Sequence, residues 1–174
     1  GIVIMFFKVF FSIILIFPIT VFTFDQEKLN KFKLTKSCEY CDLNNAQLND
    51  LKLLGSNLQN AQLAESDFSG TDLSPQQMEK TWNYTNLENA NFKNANLSNV
   101  KLTKAKLSNS YFKGANLTKA DLSESDLSDA NFKKANFTDA NLTNANMENT
   151  KLSNAIFCRT KMPSGKINNE NCKN

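Results

Sequence analysis

The chain has 174 residues, 41% of them hydrophobic and 21% charged, with a formal net charge of +3. That apolar content excludes a disordered polymer, while five Gly and three Pro leave few turns of the usual chemistry. The chain has no His and no glycine-rich phosphate loop, and its Asp and Glu are scattered rather than paired, which removes the common routes to general-base, zinc and nucleotide chemistry.

Residues 2–24 are almost wholly apolar, with Lys8 as the single charge, an apolar run over residues 9–17, then Pro18, and polarity from Asp25 onward. This is the layout of a secretory signal peptide, with Met5 as a suitable start. Thr20 and Thr23 are the only small residues near a cleavage position, so a signal anchor over residues 1–24 is the alternative. The expected location is periplasmic or secreted, or membrane-anchored through this segment if it is retained. Residues 25–37 follow as an N-terminal cap segment.

From Leu43 to Phe157 the chain repeats every five residues: a small residue, a polar one, Leu or Phe, then two more polar positions. The first run reads CDLNN AQLND LKLLG SNLQN AQLAE SDFSG TDLSP; the second begins TNLEN ANFKN ANLSN and continues without a gap to ANMEN TKLSN AIFCR. A helix would smear Leu87, Phe92, Leu97 and Leu102 around its circumference at about 140° per step, so helix is excluded as the main architecture. Asn beside the apolar centre suits a short extended piece ending in a corner. Leu51 is the largest residue at a small position and Gln76 a polar one.

One interruption, over residues 74–84, breaks the register, because Leu87 follows Leu73 by fourteen positions, one short of three blocks. Ser74 suits an N-cap and Pro75 the first helical position, so a single helical turn is expected from about Pro75 to Lys80. Trp82 and Tyr84 then form either an exposed aromatic pair available for binding or a cover for the wall behind them.

These blocks resemble the pentapeptide repeat family, whose pattern of Ala, Asn or Asp, Leu and two polar residues nearly every block matches. The resemblance implies an all-β fold, a right-handed quadrilateral β-helix of about five to six coils over residues 38–162. Each coil would hold four blocks, or twenty residues, with the central Leu or Phe and the small residue two places earlier pointing inward. Phe92, Phe112 and Phe132 then stack as an internal ladder.

The four Cys sit at the two ends of the repeat. In an exported protein an even count so placed suggests staples. Three pairings are possible, and the local ones fit best: Cys38 with Cys41, and Cys158 with Cys172, which ties the cap tail of residues 163–174 onto the last coil. Similar secreted members of the family carry this arrangement, with Met162, Pro163, Gly165, Ile167 and Asn168 in the tail. A redox pair at Cys38 and Cys41 is the alternative, without the βαβ context such motifs have.

Wrapping at twenty residues places Lys93, Lys113 and Lys133 one above another, with Lys134 beside them. Ser98, Thr118 and Thr138 line the next side, and Thr103, Ser123 and Thr143 the one after. The lysine column is either a solvated face or a basic stripe for an anionic polymer. Asp121, Glu124, Asp126 and Asp129 form an acidic band. The expected function is that of an exported, noncatalytic binding module without cofactor or metal. Its partner is a protein or anionic polymer of the cell envelope; nucleic acid is not expected, and self-association is open. The family also implies an alternative, a DNA mimic that inhibits DNA gyrase. Such a rod is strongly negative, whereas loss of Lys8 with the signal leaves nineteen basic residues against 17 acidic ones.

Overall fold

A computed structural model describes residues 26–172, so the signal segment and its processing lie outside the described residues. Parallel single-residue bridges join positions twenty apart, as in the ladders Asn86–Lys106–Asp126–Asn146 and Asn96–Asn116–Asn136–Ile156. Successive coils begin at Ser37, Asn57, Asn86, Lys106, Asp126 and Asn146, and each turns four corners, giving a solenoid of the β-helix kind.

The repeat satisfies its backbone within each block, as the five N–H groups from Ala95 to Asn99 show. Ala95 N–H closes a turn on Phe92 O (3.0 Å), Asn96 N–H donates to Ser66 O in the coil below (2.9 Å), and Leu97 N–H donates to Asn116 O above (2.7 Å). Ser98 N–H donates to the Asn96 side-chain Oδ1 (3.2 Å), and Asn99 N–H to Thr118 O above (2.9 Å). No donor is wasted, which the burial of polar backbone requires. Asn or Asp recurs before the central residue because its short side chain reaches the N–H two places on. The fifth residue takes a left-handed conformation, with φ of 56° at Asn99, 58° at Glu124 and 60° at Asp139. This is the third residue of a type II turn, where Gly and Asn are the least strained choices.

Inside, the central residues are sealed. Phe92 stacks on Phe112 with centroids 4.8 Å apart and 3° between planes, and Phe112 on Phe132 at 4.7 Å and 11°. Phe137 stacks on Phe157 in the next column at 5.4 Å. Small positions are buried as well, Ala at most and Ser where a hydroxyl can be satisfied. Ser56, Ser66, Ser110 and Ser125 each donate to the carbonyl three residues back. Thr85 Oγ1 is the one buried side-chain oxygen without a partner among the described residues. Leu51 is accommodated half-buried against the core.

The interruption is not helical. Asn57 bridges to Asn86 rather than to a residue twenty on, so one corner carries nine extra residues, and these form an antiparallel hairpin. Its strands are β1 (Gln76–Gln77) and β2 (Trp82–Asn83), with Gln76 opposite Asn83 and Gln77 opposite Trp82. Gln76 therefore stands in the hairpin, outside the small-position series. A lone helical turn pays the nucleation cost and has no face to bury. The hairpin instead docks at its base, where Asn83 Nδ2 donates to Gly55 O (2.8 Å).

Among the described residues the one helix, α1 (Gln26–Thr35), lies not in the interruption but over the first coil. It buries Leu29 and Phe32 in the core and so covers hydrophobic surface that an end coil exposes. At the far end β3 (Thr160–Lys161) pairs with β4 (Ile167–Asn168), and Asn171 exchanges hydrogen bonds with the Phe157 backbone. Disulfides join Cys38 to Cys41 and Cys158 to Cys172.

Candidate functional site

The second side of the solenoid is built from ANFKN, SYFKG, ANFKK and TKLSN in its last four coils. These blocks carry Lys93, Lys113, Lys133, Lys134 and Lys151 and no carboxylate. The backbone sets their spacing. Asn94 N–H donates to Lys113 O (3.0 Å), Gly114 N–H to Lys133 O (2.9 Å) and Lys134 N–H to Ser153 O (3.0 Å), so the three column lysines rise one coil at a time. The Phe stack directly beneath, with its 4.8 and 4.7 Å steps, holds that spacing rigid.

Lys93, Lys133, Lys134 and Lys151 are exposed and Lys113 is half-buried between its neighbours. Lys134 occupies a left-handed corner (φ 61°). Two members escaped the sequence reading: Lys151, which bridges to Asn131, and Tyr111, which lies between Asn91 and Asn131 in the same ladder. Aligning blocks by twenties at the polar position, and not only after Phe, would have found both.

Ion pairs form on the third and fourth sides of the rod. Lys101 meets Asp72 at 3.3 Å, Lys104 meets Glu124 at 3.4 Å, and Arg159 forks onto Asp139 through Nε (2.6 Å) and Nη2 (2.8 Å). Burial pushes the Asp72 carboxyl up, but hydrogen bonds from Ser74 and Lys101 outweigh it and leave it lowered. The Arg159 hydrogen bond holds Asp139 below the usual carboxylate range. None of the five lysines on the second side enters an ion pair among the described residues. Their mutual repulsion, about 0.9 kcal/mol per adjacent pair in bulk-water dielectric before screening, is not offset by an ion pair.

The acidic band is not one surface. Asp121 Oδ1 accepts from Ser123 N–H (3.1 Å), Ser123 Oγ (2.7 Å) and Asn141 Nδ2 (3.2 Å), and Asp126 does the same with Ser128 and Asn146. Both are turn acceptors on adjacent sides. Thr118, Thr138 and Thr143 likewise spend their hydroxyls on Asn116, Asn136 and Asn141. The first side, with Glu88, Asp126, Asp129 and Glu148 against Lys106, is net acidic, so the sign of the surface reverses across one corner.

Trp82 and Tyr84 are 53% and 40% exposed. They neither lie flat on the wall nor stand free of it. With Ser74, Pro75, Thr103 and Lys104 they line a groove of about 360 Å³ between hairpin and rod. No group of His, Cys, Asp and Glu suited to hold a metal occurs among the described residues.

Pentapeptide repeats, in eight copies, match residues 41–74, 81–109, 95–133 and 120–159, more than half of the chain. No curated protein matches it significantly in sequence. Among solved structures, a trypsin-treated form of QnrB1, a plasmid-mediated fluoroquinolone resistance protein, is similar at a TM-score of 0.59 and 25% identity, over 76% of this chain and 62% of that one. HetL from Nostoc sp. strain PCC 7120, a pentapeptide repeat protein involved in heterocyst differentiation regulation, gives 0.45 and 24%, over 76% and 64%. A pentapeptide repeat protein of the Arabidopsis thaliana thylakoid lumen gives 0.34 and 30%, over 66% of each chain. The chain spans less than two thirds of the length of HetL and of the QnrB1 form. Its five-residue period, its four-cornered coils and the matched span together make this chain a member of the pentapeptide repeat family.

Proposed function

We propose that this protein is an exported, noncatalytic binding module whose second side receives an anionic polymer of the cell envelope. The observation that supports this most is the set of five unpaired lysines on the last four coils of one rigid side, a stretch that carries no carboxylate. An approaching polyanion relieves repulsion that the protein itself leaves unbalanced, and the fixed coil spacing presents the charges with little loss of order on binding. The two disulfides are compatible with an oxidising compartment. Among the described residues no helix is long and apolar enough to cross a membrane.

Changing Lys93, Lys113 and Lys133 together to Gln tests the reading. The parent should bind an anionic envelope polymer with an affinity that falls as salt rises, since exposed charges are screened over about 8 Å at physiological ionic strength. The triple variant should lose about tenfold, since about 0.5 kcal/mol per lysine sums to about 1.4 kcal/mol, while Glu88→Gln with Glu148→Gln leaves binding unweakened. Equal binding by parent and triple variant would reduce the side to a solvated face.

The similarity to QnrB1 at a TM-score of 0.59 favours a second reading, a rod that occupies DNA gyrase in place of DNA. The lysine side opposes it, because a DNA mimic presents negative charge. Inhibition of gyrase supercoiling by the parent at the concentrations that bind polymer would favour this second reading.

A further inference from the structure

Residues 75–84 occupy a corner that elsewhere takes a single residue, and none of them joins the core, whose apolar series passes from Leu73 to Leu87. They lengthen a connection that the coil must close and leave Met78, Trp82 and Tyr84 in solvent. Solenoid stability does not account for this excursion. The excursion does create a groove.

That groove is concave and, at about 360 Å³, falls at the small end of the range for ligand clefts, about 300–1,000 Å³. Pro75, Trp82 and Tyr84 supply apolar surface, while the Thr103 hydroxyl and the Lys104 ammonium supply polar groups; the Ser74 hydroxyl donates to Asp72 and remains only as an acceptor. Lys104 stands on a left-handed corner (φ 57°), and its partner Glu124 at 3.4 Å is half-exposed, so donors remain for an incoming anion. The base of the wall is fixed by Asn83 on Gly55, where a Cβ would lie 2.9 Å from Asn83 Nδ2.

This combination selects a ligand. The electron-rich faces of indole and phenol attract the polarised C–H face of a sugar ring, hydroxyls on the ring edge meet Ser74 and Thr103, and a carboxylate substituent meets Lys104. An apolar peptide or acyl chain would bury the Thr103 hydroxyl without a partner and strip water from the half-exposed Lys104–Glu124 pair. We infer that the groove between the hairpin and the rod is a binding site for an acidic sugar unit of a uronic acid-containing glycan. Thr103 and Lys104 belong to the fourth side, across the rod from the second, so the site stands independently of the lysine side.

Trp82 is the only Trp of the chain, and its emission therefore reports on the groove alone. Titrating the purified protein with trigalacturonate should give a saturable blue shift complete below about 10 mM, with a neutral trisaccharide binding about tenfold more weakly. Lys104→Gln should remove that preference, Tyr84→Ala should abolish the response, and the variant lacking Lys93, Lys113 and Lys133 should keep it. No saturable change with trigalacturonate, an unchanged preference in Lys104→Gln, loss of the response in the triple lysine variant, or a response confined to nucleotides or peptides would each overturn the assignment.

Discussion

Replacing Phe112 tests how the rod is held together. Its ring is fully buried between Phe92 at 4.8 Å and Phe132 at 4.7 Å, nearly parallel to both, so it belongs to two coil interfaces at once. Truncation to Ala removes its burial and leaves a cavity that stacked coils cannot close, because the backbone ladder fixes their separation; the cost expected is about 3–5 kcal/mol. For a domain of this size that lowers the melting temperature by about 6–20 °C. Leu is the better-tolerated change, since Leu107 and Leu117 fill the same role in the same coil. Phe112→Leu keeps most of the apolar volume and loses two stacked pairs, at about 0.5–1.5 kcal/mol each. Phe157→Ala should cost less than Phe112→Ala, as Phe157 has one stacked partner and is 7% exposed. Urea unfolding followed by far-ultraviolet circular dichroism measures all three, and hydrogen exchange at the Leu107 and Phe112 amides locates the loosening. A loss below about 1 kcal/mol for Phe112→Ala would refute the sealed-core argument. Equal losses for Ala and Leu would show that stacking, not volume, carries the ladder.

Gly55→Ala should destabilise the hairpin base more than Gly165→Ala disturbs the tail. Both glycines have positive φ, but an added Cβ at Gly55 meets Asn83 and Gln76 at 2.9–3.0 Å, whereas at Gly165 it meets nothing within 4 Å; equal melting temperatures for the two variants would contradict this. The Asp139 carboxyl, held down by the Arg159 hydrogen bond, contributes stability that is present above the ordinary carboxylate pKa of about 3.9 and is lost as pH falls through its lowered folded value. Amides of the final coil should therefore loosen in acid, and Arg159→Gln should raise the Asp139 titration seen by NMR back toward the ordinary range; an unmoved titration would rule the pair out as the cause.

The five-residue period marked the inward positions, and with the four blocks per coil that the family resemblance implies it gave the Phe92–Phe112–Phe132 stack and the vertical run of Lys93, Lys113 and Lys133. The physical reason is that each block repeats the same local geometry, so position in the block decides direction and multiples of twenty decide who lies above whom. That the small positions face inward was legible for the same reason, whereas the carbonyls three residues back that satisfy the Ser hydroxyls appeared only in the structure. What only the tertiary structure decided lies where that context is missing or where a partner comes from another coil. Residues 75–84 have no repeat to copy, and Ser74 with Pro75 gave a sound local signal for a helical turn. The contact of Asn83 with Gly55, 28 residues apart, settled the matter for a hairpin. The cap helix was written in Leu29 and Phe32, three apart, but only the open floor of the first coil gave them something to bury against. Asp121 and Asp126 read as surface charge until the backbone donors around them were placed. The unpaired state of the five lysines is likewise a property of the wrapped chain, because acids near in sequence, such as Asp126 and Asp129 beside Lys133, are turned onto the next side by a single corner.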